Sequence, residues 1–197
     1  MATVKTTGWI QDVFVDGHLA YVVDRDKGLE ILDIANPLSP QKVGHFDSGP
    51  GYASYGDVAV SGNRAYLTNI RNGLQVLDLT DPSNPLPIGN LGDGNTGQAV
   101  QIVGNRAYLM DPGAGLRIVD VTDSTKPKTM GSFEIHGFAL GIHVVGEAAY
   151  LSDLSQLQII DVADLFHPTR LGQFKVVDGG PFDASVVGSV GYVAFAS

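Results

Sequence analysis

The feature that most constrains this chain is an internal repeat of about 42 residues. Tyr21, Tyr66, Tyr108, Tyr150 and Tyr192 recur at spacings of 45, 42, 42 and 42, in the strings AYVVD, AYLTN, AYLMD, AYLSD and GYVAF. A second string follows the first four: GLEILDI from Gly28, GLQVLDL from Gly73, GLRIVDV from Gly115 and QLQIIDV from Gln156. Next come Pro40, Pro85, Pro127 and Pro168, then Gly44, Gly89, Gly131 and Gly172, then an apolar residue at Phe46, Leu91, Phe133 and Phe174.

Each unit reads as four short strands, A to D. Strand A precedes a tight turn such as Gly62-Asn63 or Gly104-Asn105, pairs suited to the primed turns of two-residue hairpins. Strand B carries the Ala-Tyr. Strand C is the Leu-x-Ile-x-Asp run, whose apolar residues nearly fill both faces, as a strand buried on both sides requires. Strand D carries the Gly and Phe, behind a proline that cannot donate to a ladder and belongs at a loop or edge. No window shows a 3.6-residue period, so the sequence predicts essentially no helix.

Four-stranded units at this period stack radially. The expected fold is therefore all-β, a single β-propeller domain of about five blades. Its repeats fall at about 8–50, 51–94, 95–137 and 138–180, with a partial one at 181–197. Aligning Gly8-Trp9 with Gly137-Phe138 makes residues 1–7 the equivalent of a strand D, while the fifth repeat has no strand C. Two closures follow. In the favoured one the termini share a thin blade in a five-blade ring. In the other the chain is an arc of a larger propeller, with self-association through its terminal blades.

Composition narrows the function classes. The net charge of −9 repels phosphate backbones and anionic lipid, which argues against nucleic-acid and membrane-surface partners. Apolar runs are too short for a membrane-spanning helix. With no cysteine, disulfides, thiolate metal sites and a cysteine nucleophile are excluded. The Met-Ala-Thr-Val-Lys start has no apolar h-region, so it does not read as a signal peptide.

GLQVLDL, GLRIVDV and QLQIIDV, each followed by an Asp- and Pro-containing loop, resemble the LVIVD repeat. The resemblance covers nearly the whole chain. It implies a propeller in a secreted or cell-surface protein and supplies no catalytic residues. Gln156, in place of the expected Gly, is one departure, and the fifth repeat, which stops after strand B, is another.

The GDGNTG string at 92–97 matches a dinucleotide fingerprint, but a strand is expected after it where that site needs a helix. Asp24 and Asp26, in DRDKGLE, form a calcium candidate; the alternative is a turn in which Asp caps its own backbone. Otherwise no cofactor is expected. The histidines His18, His45, His136, His143 and His167 occupy unlike repeat positions, with no zinc-binding spacing. His143 lies on an innermost strand A, where Phe14, Ala59, Gln101 and Ser185 are its equivalents; a satisfied core histidine is its plainer role. Asp33, Asp78, Asp120 and Asp161 recur at one position and read as loop caps.

Charge placement gives the remaining signal. The face built from the B–C and D–A loops would carry Asp24, Asp26, Asp47, Asp93, Asp111, Glu134, Asp153 and Asp178. Asp12, Asp57 and Asp183 would stand at the channel mouth. The expected ligand residues are thus Asp12, Asp57, Asp183, His143, Asp47, Asp93 and Asp178, facing a protein or a cationic ligand. The function expected is a non-catalytic binding scaffold. The alternative is a hydrolase or lyase that uses an Asp and His143 at the same mouth.

Overall fold

A computed structural model describes residues 4, 8–25, 27–47, 55–69, 73–92, 97–135, 139–175, 181–188 and 190–195. It is all-β: among these residues there are strands and turns and no helix. Blade 1 comprises β1 (Ile10–Asp16), β2 (Leu19–Asp24), β3 (Gly28–Asp33) and β4 (Gln41–Phe46). Blade 2 comprises β5 (Tyr55–Ser61), β6 (Arg64–Asn69), β7 (Gly73–Asp78) and β8 (Leu86–Asn90). Blade 3 comprises β9 (Ala99–Val103), β10 (Arg106–Asp111), β11 (Gly115–Asp120) and β12 (Lys128–Phe133). Blade 4 comprises β13 (Ala139–Val145), β14 (Ala148–Asp153), β15 (Gln156–Asp161) and β16 (Thr169–Lys175). A two-stranded fifth sheet pairs β17 (Pro181–Val187) with β18 (Val190–Phe195).

Each blade is an antiparallel meander in sequence order. The hairpin between strands A and B turns on a glycine at φ 58–61° (Gly17, Gly62, Gly104, Gly146, Gly188). Among the described residues no non-glycine has positive φ, so in the first four hairpins only the first turn residue is left-handed, the signature of a II′ turn. At the head of strand C, Gly28, Gly73 and Gly115 also have positive φ, and a Cβ on Gly28 would meet the Phe46 carbonyl oxygen. Gln156 takes the same place in blade 4 with ordinary φ, which accommodates the departure seen in sequence.

The strand C aspartates are loop caps. Asp33, Asp78, Asp120 and Asp161 each accept the amide two residues on, from Ala35, Thr80, Thr122 and Ala163 at 2.8–2.9 Å. Hydrogen bonds from the Thr80 and Thr122 hydroxyls and amides hold the Asp78 and Asp120 carboxyls below the usual carboxylate range.

The core lies between blades rather than within them. Tyr21, Leu29, Ile31 and Phe46 of blade 1 pack on Tyr55, Val58, Leu67 and Leu77 of blade 2. Tyr66, Leu74 and Val76 pack on Val100, Leu109 and Val119 of blade 3, and Tyr108, Leu116 and Ile118 on Leu151, Ile160 and Val162 of blade 4. The close approach of the blades is a backbone matter. A Cβ built on Gly44, Gly89 or Gly131 would lie 2.2 Å from a carbonyl oxygen in the next blade's C–D loop, at Pro82, Ser124 and Leu165 respectively. That recurrent glycine exists because no side chain fits there.

Strand A lines the middle: β1 packs on β5, β5 on β9, β9 on β13 and β13 on β17. No comparable packing joins β17 to β1 among the described residues. Val4, like Ile34, packs against the cluster of Ala20, Val22 and Leu32 in blade 1. Ala20, Val22, Leu32 and Ile34 are the equivalents of Ala65, Leu67, Leu77 and Leu79, which pack with the strand D residues Val43 and Phe46. Val4 therefore occupies the place of a preceding blade's strand D. Its neighbours at 1–3 and 5–7, and with them the expected pairing beside Tyr192–Phe195, lie outside the described residues.

Candidate functional site at the channel mouth

Strand A begins with an irregularity in four of the five sheets. The register against strand B shifts between Ile10 and Asp12, Tyr55 and Val58, Ala139 and Gly141, and Pro181 and Asp183. Such bulges re-aim side chains. Here they stand beside a cavity of about 460 Å³ lined from all five strand A segments, including Asp12, Asp57, Gln98, His143, Asp183 and Ser185.

Of the residues expected to bind a ligand, the cavity brings together Asp12, Asp57, His143 and Asp183. Asp47 is exposed and does not line it. Asp93, Asp178 and Asp26 lie outside the described residues. Asp24 is fully buried. Its equivalents Asp111 and Asp153 are buried too and cap the B–C turn: Asp111 accepts the Gly113 amide at 2.9 Å, and Asp153 accepts the Ser155 amide at 2.8 Å. The acidic face read from sequence is correspondingly smaller, because Asp24, Asp111 and Asp153 point into the fold. Arg117 reaches Asp111 at 3.5 Å, and Gln158 donates to Asp153 at 3.0 Å. Among the described residues no group of three or more His, Asp or Glu is placed to hold a metal ion.

The mouth residues also hold the blades together. Asp12 Oδ2 accepts the Val58 amide of the next blade at 3.3 Å, and Asp57 Oδ2 accepts the Val100 amide at 2.7 Å. Gln101 makes a two-way bond with Val144, accepting its amide at 2.6 Å and donating to its carbonyl at 3.1 Å. His143 Nε2 donates to the Val186 carbonyl at 3.2 Å. One polar side chain per blade thus latches the next, from either of two strand A positions. Sequence reading passed over Gln101 in this role. The available signal was that each strand A places one Asp, Gln or His at one of those two positions.

Asp12 and Asp57 share an amide, since Val58 N–H also donates to Asp57 Oδ1 at 2.8 Å. Burial, together with the hydrogen bond and charge of Asp12, pushes the Asp57 acid well above the ordinary range, against the opposing pull of the Val100 and Val58 amides. Asp57 therefore retains its proton to higher pH than an isolated carboxyl. Asp183 accepts its own neighbour's amide, Ala184, at 2.8 Å, as Asp57 does with Val58.

A meander of four strands per sheet, radial stacking and a polar central mouth define a β-propeller repeat protein. Four consecutive matches to the LVIVD repeat model, at residues 7–48, 50–92, 94–134 and 136–176, cover most of the chain, which belongs to the LVIVD-repeat family.

Solved structures share the fold at low identity. The computationally designed Ika8 protein superposes with a TM-score of 0.74 at 8% identity, over 94% of this chain and 55% of Ika8. The β-propeller domain of Myceliophteria thermophila Cps50 (Swd1) gives 0.67 at 12% identity, over 92% and 60%. The designed Ika4 protein gives 0.64 at 8% identity, over 89% and 96%. The chain thus spans little more than half of Ika8 and of the Cps50 domain. No curated protein sequence matches it.

Proposed function

We propose that this chain is a non-catalytic binding scaffold, in a secreted or cell-surface setting, whose channel mouth receives a cationic group of a protein or small ligand. The observation that carries the reading is the cavity of about 460 Å³ into which separate blades deliver Asp12, Asp57 and Asp183. Carboxylates held by backbone amides on rigid strands are pre-organised and lose little entropy on binding. The LVIVD family supports the location. The hydrolase or lyase alternative needs an aspartate hydrogen-bonded to His143, and among the described residues that ring nitrogen donates to the Val186 carbonyl instead.

The test is an amide-resolved NMR titration with a tetra-lysine peptide and, separately, with a tetra-glutamate peptide. The lysine peptide should shift the amides of Asp12, Val58, Val100 and Ala184 at low salt, less so at high salt. The combined Asp12→Asn and Asp183→Asn variant should weaken that response. Equal responses to both peptides, or shifts confined to outer loops, would refute the reading.

A further inference from the structure

Blades 2 and 3 carry the same four polar residues where strand B begins and strand C ends, and use them differently. In blade 2 they are Asn63, Arg64, Asp78 and Thr80, and they bond one another. Arg64 Nη1 donates to Asp78 Oδ1 at 2.7 Å, and the Asn63 side-chain amide donates to the Thr80 hydroxyl at 2.7 Å. In blade 3 they are Asn105, Arg106, Asp120 and Thr122. Asp120 still accepts the Thr122 amide at 2.9 Å, but among the described residues the side chains of Arg106 and Asn105 make no such bonds. A cavity of about 380 Å³ lies there instead, lined by Gly104, Asn105, Arg106, Asp120, Thr122 and Met130.

Charge accounts for the difference. The cross-strand order is Arg64, Asp78, Leu86 in blade 2 and Arg106, Asp120, Lys128 in blade 3. Directly opposed residues share one sheet face. Asp78 thus has one cation beside it, whereas Asp120 has one on each side. The Thr122 hydroxyl and amide hold the Asp120 carboxyl below the usual range, and the charges of Arg106 and Lys128 add to them. The next loop contributes Asp123 and Lys126, which offset each other. Blade 3 is left with one surplus positive charge beside the cavity, where Arg64 against Asp78 and Asp81 leaves blade 2 one negative.

We propose that this cavity is a binding site for a small organic carboxylate, received by the Arg106 guanidinium between the polar groups of Asn105 and Thr122 and the apolar wall of Met130. Paired guanidinium N–H donors match the two oxygens of a carboxylate. One carboxylate neutralises the single surplus charge, whereas a phosphate dianion would exceed it and stand against Asp120. Recruiting Arg106 costs little, because an exposed ion pair with Asp120 is weak in water. The site lies at the end of the blade opposite the mouth: Arg106 pairs with Val103, whereas the mouth residue Ala99 pairs with Met110. It is independent of the scaffold reading.

The test is an NMR titration of the intact chain with sodium butyrate at constant ionic strength, read at backbone amides and arginine side chains. Butyrate should give saturable shifts at Asn105, Arg106 and Thr122 and no matching shifts at Asn63, Arg64 and Thr80. Arg106→Gln, at an exposed position, should melt with the parent and bind butyrate at least about tenfold more weakly. Lys128→Leu copies blade 2 and keeps Arg106; Asp120 then claims the guanidinium, and butyrate should weaken by about the same factor. Inorganic phosphate should bind less tightly than butyrate. Shifts that never saturate, equal responses at Arg64 and Arg106, phosphate binding as tight as butyrate, or full affinity in Lys128→Leu would each overturn the proposal.

Discussion

Blades 2 and 3 and the outer part of blade 4 have nearly the same sequence pattern and quite different surroundings. In blades 2 and 3 the strand C leucines Leu74 and Leu116 are fully buried; in blade 4 the equivalent Leu157 is only partly so. The pattern is therefore not a recipe for a self-sufficient sheet. It specifies one half of an interface, and burial arrives only with the neighbour. This is the one-dimensional energetics of repeat proteins, in which stability sums over units and the joints between them.

The comparison can be broken most forcefully at the leucines. Leu116→Ala should cost roughly 2–5 kcal/mol in chemical denaturation, as for other fully buried leucines. Leu157→Ala should cost about half as much or less. Equal losses would mean that the neighbouring blade contributes nothing to strand C.

The glycines sharpen it further. Gly131→Ala forces a carbon toward a carbonyl at 2.2 Å and should lose about 1–3 kcal/mol through backbone displacement. Gly172→Ala should change stability by no more than about 0.5 kcal/mol, as at unconstrained surface sites. Thermal melts of the two variants decide the matter, and a costly Gly172→Ala would show that the outer face is covered.

A smaller effect separates mouth from loops by pH. The folded-state acidity of Asp78, Asp120 and Asp153 is strengthened, so their stabilisation is present above the ordinary carboxylate range and is lost as pH falls through it. Asp57 has the opposite sign: its folded pKa is raised, so its contribution is fullest in acid and declines as pH rises from the ordinary value through the raised one. Asp12→Asn removes a neighbouring charge. It should lower the Asp57 pKa, read by carbon-detected NMR titration, and flatten the decline in melting temperature between acid and neutral pH. An unmoved Asp57 would show that burial alone raises it.

How much of this was legible in sequence follows the same division. The recurrence of Tyr, Gly-Leu and Pro fixed blade order and strand content, because period and turn chemistry are local properties. The capping roles of Asp33, Asp78, Asp120 and Asp161 were legible for the same reason: an aspartate bonding two residues on needs no tertiary knowledge. Asp12, Asp57, Asp183 and His143, read as mouth residues because strand A lies innermost, line one cavity. The second engagement of Asp12, Asp57 and His143, with the next blade's backbone, is a contact between repeats, which a reading of one repeat at a time does not reach. Asp24, Asp111 and Asp153 were misplaced onto the solvent face because polarity suggested water, whereas the B–C turn draws them inward and Arg117 and Gln158 meet two of them there.

The glycine at Gly44, Gly89 and Gly131 has one more consequence. Because a backbone oxygen seats where a side chain is missing, the pitch between blades is gauged by main chain against main chain. The apolar residues around the joint can then drift, as Phe46, Leu91 and Phe133 already do, without altering the stagger. Any unit bearing that glycine behind and an Asp-containing loop ahead is interchangeable with any other. A duplicated segment would enter the stack of blades with both of its joints already cut to fit, so such a protein can lengthen by copying rather than by redesign.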